Sequence, residues 1–429
     1  MGDGGRSPFP DGRPGGTVGK VEFRRESRMP YASGNGSERI GQRIAAARKA
    51  RGLTQLQLAQ RIPCSKSLIA QVERGHKPAT PSLTAGAARA LGVRLEQLTG
   101  QPYEDPHRGR VRATVPDIQT SMLSWDLPEE DLPVRPFDAL AADVARASEL
   151  GRKARYATLG TMLPPLLDEL SAACHCAGGT EREKLFGLLA EAYSGVTAIA
   201  YAVGLFDLRS QAMDRVQWAA RESQDPLRVG RTQWQRATLF LQAAAYGRGM
   251  RLLDRVRHDL GEDIGRMDAP SLSVHGSVHL RSAMFAARGG NASTARAHLD
   301  AAADAARLLG RDANHYGLEF GPTNVAMHRL GVAVELHDGP EVGVLTRRTR
   351  LPAGVAPVRA GRWYMDAAKG WLDYGNREKA FAALQEARRV APEQTRNHPQ
   401  VRESVQALIR LERYGKQSLS GFATWLGIT

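Results

Sequence analysis

Cysteine is scarce: Cys64, Cys174 and Cys176 are the only three in 429 residues. So small and odd a number excludes a disulfide framework and suits a reducing compartment. Long apolar runs are missing as well; none approaches the ~20 residues of a membrane span. The Gly- and Pro-rich N-terminus lacks the apolar stretch of a secretory signal. The chain is therefore expected in the cytoplasm, away from membranes. Catalytic signatures are absent too: there is no P-loop, no G-x-S-x-G, no kinase set and no dinucleotide fingerprint, so no enzyme is expected. Metal patterns are thin. Cys174-His175-Cys176, before Gly178-Gly179, has no second cluster and reads as an unliganded loop. His275 and His279 lack H-E-x-x-H and a third ligand, and read as surface or hairpin histidines. No cofactor is expected. Acidic residues fall short of basic ones, 45 against 59, for a net charge of +14. Such a balance suits an acidic partner such as nucleic acid or an anionic membrane surface.

What is present divides into unequal parts. A chain of this length exceeds one ordinary core. Residues 1–37 are dominated by Gly, Pro and charge and read as a disordered tail, with Arg24, Arg25 and Arg28 as a basic arm or a solvated stretch. Helical periodicity runs over 38–100. Residues 101–136 read as a linker with a basic run at His107–Arg112 and a short helix over Pro116–Trp125. From 137 to 429 the spacing of apolar residues stays near 3.6, with no alternating strand segments. The expected fold class is all-α throughout.

Residues 38–100 hold eleven Lys and Arg against three acids, a net +8, more than half the charge of the chain. Ile44, Ala47 and Arg48 lie on a first helix that stops at Gly52, suited to a positive φ. Thr54 and Gln57 form a T-x-x-Q capping box for a second helix, whose apolar face is Leu58, Ala59 and Ile62. Pro63-Cys64 breaks it, and Ser65 caps a third. In that third helix Leu68, Ile69 and Val72 point inward. Lys66, Ser67, Ala70, Gln71 and Arg74 face out, with no acid among them. Base edges in a major groove call for such short polar side chains, and phosphates repel acids. Thr80-Pro81 opens a fourth helix, which reaches Leu91-Gly92, and Val93–Leu98 adds a fifth. Two short helices about three residues apart are the helix-turn-helix arrangement.

The run Leu53-Thr54-Gln55, Leu58-Ala59, Ser65, Ile69, Val72-Glu73-Arg74-Gly75, Pro78, Leu91-Gly92-Val93 and Leu98 resembles the phage-repressor (Cro/C1, XRE-type) helix-turn-helix family over residues 39–100. The resemblance implies a five-helix lambda-repressor-like domain binding double-stranded DNA. It implies base-reading roles for Lys66, Ser67 and Gln71, and phosphate contacts for Gln55, Ser65 and Lys77. It also implies a structural ion pair between Arg48 and Glu73. One departure stands out. The family usually has Gly in the turn where this chain has Pro63, and Pro cannot take positive φ, so another turn geometry is expected.

Three segments of the larger part repeat a pattern. Ala212, Val216 and Ala219 are matched by Ala295, Leu299 and Ala302 after Gly290-Asn291, and by Ala380, Leu384 and Ala387 after Gly375-Asn376. The recurrence is twice a unit of about 42 residues, with degenerate units expected near Gly249–Leu260 and Gly339–Arg348. Small residues at such spacings let hairpin helices approach, and stacked hairpins make a solenoid. The pattern resembles tetratricopeptide (TPR) repeats, though longer than the usual ~34 residues. The whole, with Val111–Pro136 and His398-Pro399-x-Val401-Arg402, resembles actinobacterial XRE-type regulators with a TPR-like α-solenoid. That resemblance implies a transcriptional regulator whose repeats bind a peptide, a protein or each other; a homodimer is expected because one short helix reads too few bases for useful specificity. The alternative is a TPR-like scaffold with a helix-turn-helix module that does not bind DNA.

Overall fold

The computed structural model describes residues 39–101, 109–128, 132–261, 263–411 and 417–428. The expected N-terminal tail, with Arg24, Arg25 and Arg28, lies outside these residues, as does part of the expected linker. Among the described residues there is no strand, only an isolated antiparallel bridge between Ala313 and Phe320. The fold is all-α.

The small basic part is built from α1 (Ile40–Ala50), α2 (Gln55–Ala59), α3 (Lys66–Arg74), α4 (Pro81–Leu91) and α5 (Leu95–Thr99). Its caps are those the side chains dictate. The Gln57 amide N–H donates to Thr54 Oγ1 at 3.2 Å and the Thr54 N–H to Gln57 Oε1 at 2.8 Å. Ser65 Oγ accepts from Leu68 N–H at 3.1 Å, and Thr80 Oγ1 from Leu83 N–H at 3.0 Å. Gly52, Gly75 and Gly92 end helices in the left-handed region. Ile44, Leu58, Ile69, Leu83, Leu91 and Leu98 meet in a core of their own.

The expected linker is not a free connection. Helices α6 (Gly109–Ala113) and α7 (Val115–Leu123) bury Val111, Ile118 and Met122 in the core of the larger part.

That part is a series of antiparallel hairpins. They pair α8 (Phe137–Arg152) with α9 (Tyr156–Cys176), α10 (Gly179–Val203) with α11 (Phe206–Glu222), and α12 (Pro226–Gln242) with α13 (Tyr246–Leu260). Then come α14 (Ala269–Arg288) with α15 (Ala292–Leu309), α16 (Pro322–Glu335) with α17 (Gly339–Arg348), and α18 (Pro357–Asp373) with α19 (Arg377–Val390). Helices α20 (Pro392–Asn397), α21 (Pro399–Leu411) and α22 (Gln417–Trp425) close the chain. The repeating residues fall on the second helix of alternate hairpins, where Ala212, Ala295 and Ala380 are fully buried. The degenerate units are α13 and α17.

Each hairpin turns the same way. One left-handed residue precedes the second helix: Ala154, Gly204, Ala244, Gly290, His337 and Gly375 in order. Side chains then cap three of these second helices, Asn291 on α15, Asp338 on α17 and Asn376 on α19. The array curls until its end meets its beginning. α18 packs on α8 and α20 on α10. Glu393 accepts from the Tyr156 N–H at 2.8 Å, at the start of α9. The small part sits against this curled array, with α4 on α12.

Several sequence expectations need correcting. The Cys174-His175-Cys176 run is the last turn of α9, not a loop, because the helix continues to Cys176 and buries Cys174. His275 and His279 are hairpin histidines, the first buried and the second partly buried. They line the inner side of α14, with His298 of α15 beside them and the His279 and His298 Nδ1 atoms 3.0 Å apart. Arg152, at the end of α8, forms ion pairs with Glu149 and Glu319. Helix α10 is long and apolar enough, by length and composition, to cross a membrane, contrary to the reading of the runs. Its Leu185, Phe186, Leu189, Tyr193, Val196 and Ile199 are instead buried at the centre of the protein core.

Candidate nucleic-acid interface

Helix α3 is held from behind by α1. Gly41 makes the close approach possible: a Cβ there would lie 2.1 Å from the Val72 carbonyl oxygen, which is backbone and cannot swing away. The Arg48–Glu73 ion pair pins the same contact. Arg48 Nε donates to Glu73 Oε1 and its second terminal nitrogen to Oε2, each at 2.7 Å. Arg48 also reaches the Leu53 carbonyl at 2.6 Å. The two side chains are only 9% and 6% exposed. Burial alone would raise the Glu73 carboxyl, but hydrogen bonds from Arg48 and Gln55 outweigh it and hold it below the ordinary glutamate value. Glu73 is thus a bracing residue joining α1, α2 and α3.

The other face of α3 is open. Lys66 and Ser67 are exposed on its first turn, and Gln71 lies one turn on, donating from Nε2 to Ser67 Oγ at 3.3 Å. Ser65 is exposed but its Oγ already accepts the capping bond. Lys77 is exposed in the loop beyond Gly75. Gln55 departs from this group: its Nε2 donates to Glu73 Oε2 at 2.8 Å, which draws the amide inward. The turn before α3 contains no positive φ. Instead the Cys64 N–H donates to the Ile62 carbonyl at 2.7 Å across Pro63. That is an inverse γ-turn, whose central φ matches the value proline imposes.

Residues 39–99 match the family model described as a helix-turn-helix domain. Over 62 residues the chain is 40% identical to the immunity repressor protein of Bacillus phage phi105. Residues 39–99 are a helix-turn-helix domain, followed by helical repeats. The repressor match takes in 14% of this chain and 43% of the phage protein, so less than half of that relative is spanned. Among solved structures, BtubC (BKLC) from P. vanneervenii is similar at 16% identity and a TM-score of 0.35, over 61% of this chain and 94% of that one. Bacillus thuringiensis PlcR, in complex with the peptide PapR7 and DNA, is similar at 13% identity and a TM-score of 0.29, over 82% of this chain and 94% of that one.

The helix-turn-helix domain is also fastened from places the local sequence does not announce. Arg39 and Arg410 donate to the carbonyls of Arg74 and Gly75 at 3.3 and 3.0 Å, placing two cations at the negative end of α3. Glu403, on α21 with Arg410, accepts from the Ile40 N–H at 2.8 Å and so caps α1. On the far side Arg89 reaches the Ala244 carbonyl at 2.7 Å, and Ser82 meets Tyr246 at 3.2 Å. Gln101 donates to the Asn397 carbonyl at 3.1 Å. Apart from Arg39, whose acceptor is 35 residues on, these partners are over a hundred residues away in sequence, so no motif reveals them.

Proposed function

We propose that this protein is a sequence-specific DNA-binding transcriptional regulator that works in the cytoplasm, on the nucleoid. The observation that supports it best is the open face of α3, where Lys66, Ser67 and Gln71 stand free of acids on a rigidly braced helix in the most basic part of the chain. These three residues read base edges by hydrogen bonding in the major groove. Ser65 and Lys77 hold phosphates on either side, and Gln55 does so through whatever donor capacity Glu73 leaves it. One short helix reads too few bases for useful specificity, so the protein acts as a homodimer on paired half-sites. The repeat array senses an effector, a peptide or a protein, and passes its state to the small domain.

Fluorescence anisotropy against fragments tiling the gene's own upstream region, with competitor DNA at two salt concentrations, tests this reading. Tight, salt-sensitive binding to one fragment is expected, lost in Lys66→Ala/Gln71→Ala with the melting curve retained. Weak binding, indifferent to sequence and unchanged in the double variant, contradicts it and favours a protein-interaction scaffold.

A further inference from the structure

At the centre of the curled array, between it and the small domain, lies a cavity of about 140 Å³. Thr84, Ala85 and Leu95 bound it on the small-domain side, and Arg209, Arg362 and Gln400 on the array side. A cavity of this size takes a body of about one aromatic ring.

Its charge is unbalanced. Arg288 is paired with Glu335, Arg359 with Glu319 and Arg362 with Asp366. Arg209 has no such partner. It is 8% exposed, and it donates to Gln242 Oε1 and, at 2.6 Å, to Thr238 Oγ1. Its guanidinium lies 4.7 Å from the Tyr201 ring. Arg281, a further cation of the same group, stacks at 4.4 Å on Trp234. Among the described residues no carboxylate pairs with Arg209 or Arg281. Glu96, the acid at the cavity wall, is placed beside Arg94 at 3.7 Å. Buried charges in proteins are paired, because neutral hydrogen bonds do not replace the lost hydration. The absence of a counter-charge is felt at Arg209, whose guanidinium burial pulls down to about 10.

The wall also has unused hydrogen-bonding capacity. Gln400 is 4% exposed, and both polar atoms of its amide lack a partner; Gln394 Oε1 lacks one too. A buried amide in that state is expected to find a ligand or water.

We propose that this cavity binds a small organic anion, one carboxylate or phosphate group on a body of about a single ring, with Arg209 as its counter-charge. The site stands on the structure alone. Its consequence rests on the regulator reading above: the anion touches the small domain and the array together, so it favours their docked arrangement and thereby alters DNA affinity.

The test uses the full chain without DNA. Isothermal titration with benzoate, phenyl phosphate and neutral benzamide is run at constant ionic strength, with melting curves alongside. At least one anion is expected to bind at one per chain, about tenfold or more tightly than benzamide, and to raise Tm. Benzoate alone binding identifies a carboxylate ligand, and phenyl phosphate alone a phosphate. Arg209→Gln should abolish the preference for the anion. Ala85→Leu, which fills space and leaves every cation in place, should abolish binding and keeps the test decisive if Arg209→Gln does not fold. Anions binding no more tightly than benzamide, or equally to wild type and Arg209→Gln, overturn the proposal. A protein that takes the anion yet fails the anisotropy assay retains the site and loses the regulator reading.

Discussion

Replacing Glu73 with Ala tests how α3 is held. The change removes both carboxylate acceptors of a guanidinium that is 9% exposed, leaving it the Leu53 carbonyl, and removes the acceptor of the Gln55 amide. Breaking a buried pair from one side costs ~3–5 kcal/mol, since the remaining charge is left unmatched. The loss falls on the contacts of α1 and α2 with α3, not on the repeat array. Hydrogen exchange read by mass spectrometry resolves that difference. Amides of α1 and α3 should exchange about 10² to 4 × 10³ times faster, at roughly a decade per 1.4 kcal/mol, while α10 and α14 stay protected. Removing both charges, as Arg48→Met/Glu73→Leu, should restore most of the protection, because an apolar pair of similar volume carries no stranded charge. If Glu73→Ala left α1 and α3 within threefold of wild type, the bracing role assigned to the pair would be wrong.

Other outcomes follow from the same geometry. Gly41→Ala pushes a methyl into the Val72 carbonyl and should destabilise the small domain by ~1–3 kcal/mol, read in the same exchange experiment. His279, His328 and His398 are pulled down to about 3, first by burial and then by cations around them: His328 faces Arg281, Arg359 and Arg362, and His398 faces Arg362 and Arg288. Held neutral in the fold but free to protonate near 6.5 when unfolded, each makes stability fall as pH drops below about 6.5. The slope approaches ~1.4 kcal/mol per pH unit for each histidine. Urea melts at pH 7.5 and 5.5 should show the loss, and equal midpoints would refute it. Cys176 is exposed, whereas burial pushes the Cys64 thiol up to about 11 and Cys174 up to about 12. A thiol reagent at pH 8 should modify one cysteine quickly in the native protein and the others only on unfolding.

Much of the small domain was legible because its signals are local. Thr54, Ser65 and Thr80 each cap a helix within three residues, and Gly52, Gly75 and Gly92 stop one. The array was half legible, for a backbone reason. Where the hairpin turn carries Gly followed by Asn, as at Gly290 and Gly375, the unit shows in the sequence. At Ala154, Ala244 and His337 the same left-handed conformation is adopted by residues that do not favour it, at ~1–2 kcal/mol each. Packing of the neighbouring hairpins enforces those turns, and no local pattern records packing. His275 carries a polar label, yet the packing of α14 buries it, with His279 partly buried one turn on. Nothing in the spacing of Glu403 and Arg410 indicates that α21 holds both α1 and the end of α3. Gln55 matched a phosphate-binding position by order along the chain, and only the structure shows its amide turned toward Glu73.

The central claim is that the exposed first turn of α3 reads DNA sequence. Selection from a randomised duplex pool, run in parallel with wild type and Lys66→Ala, tests it most directly. Wild type should enrich one motif of paired half-sites. Lys66→Ala should enrich the same motif with preference lost at a single position in each half-site, at about 1–3 kcal/mol of discrimination. No enrichment with wild type, or an identical motif at every position with Lys66→Ala, would contradict it.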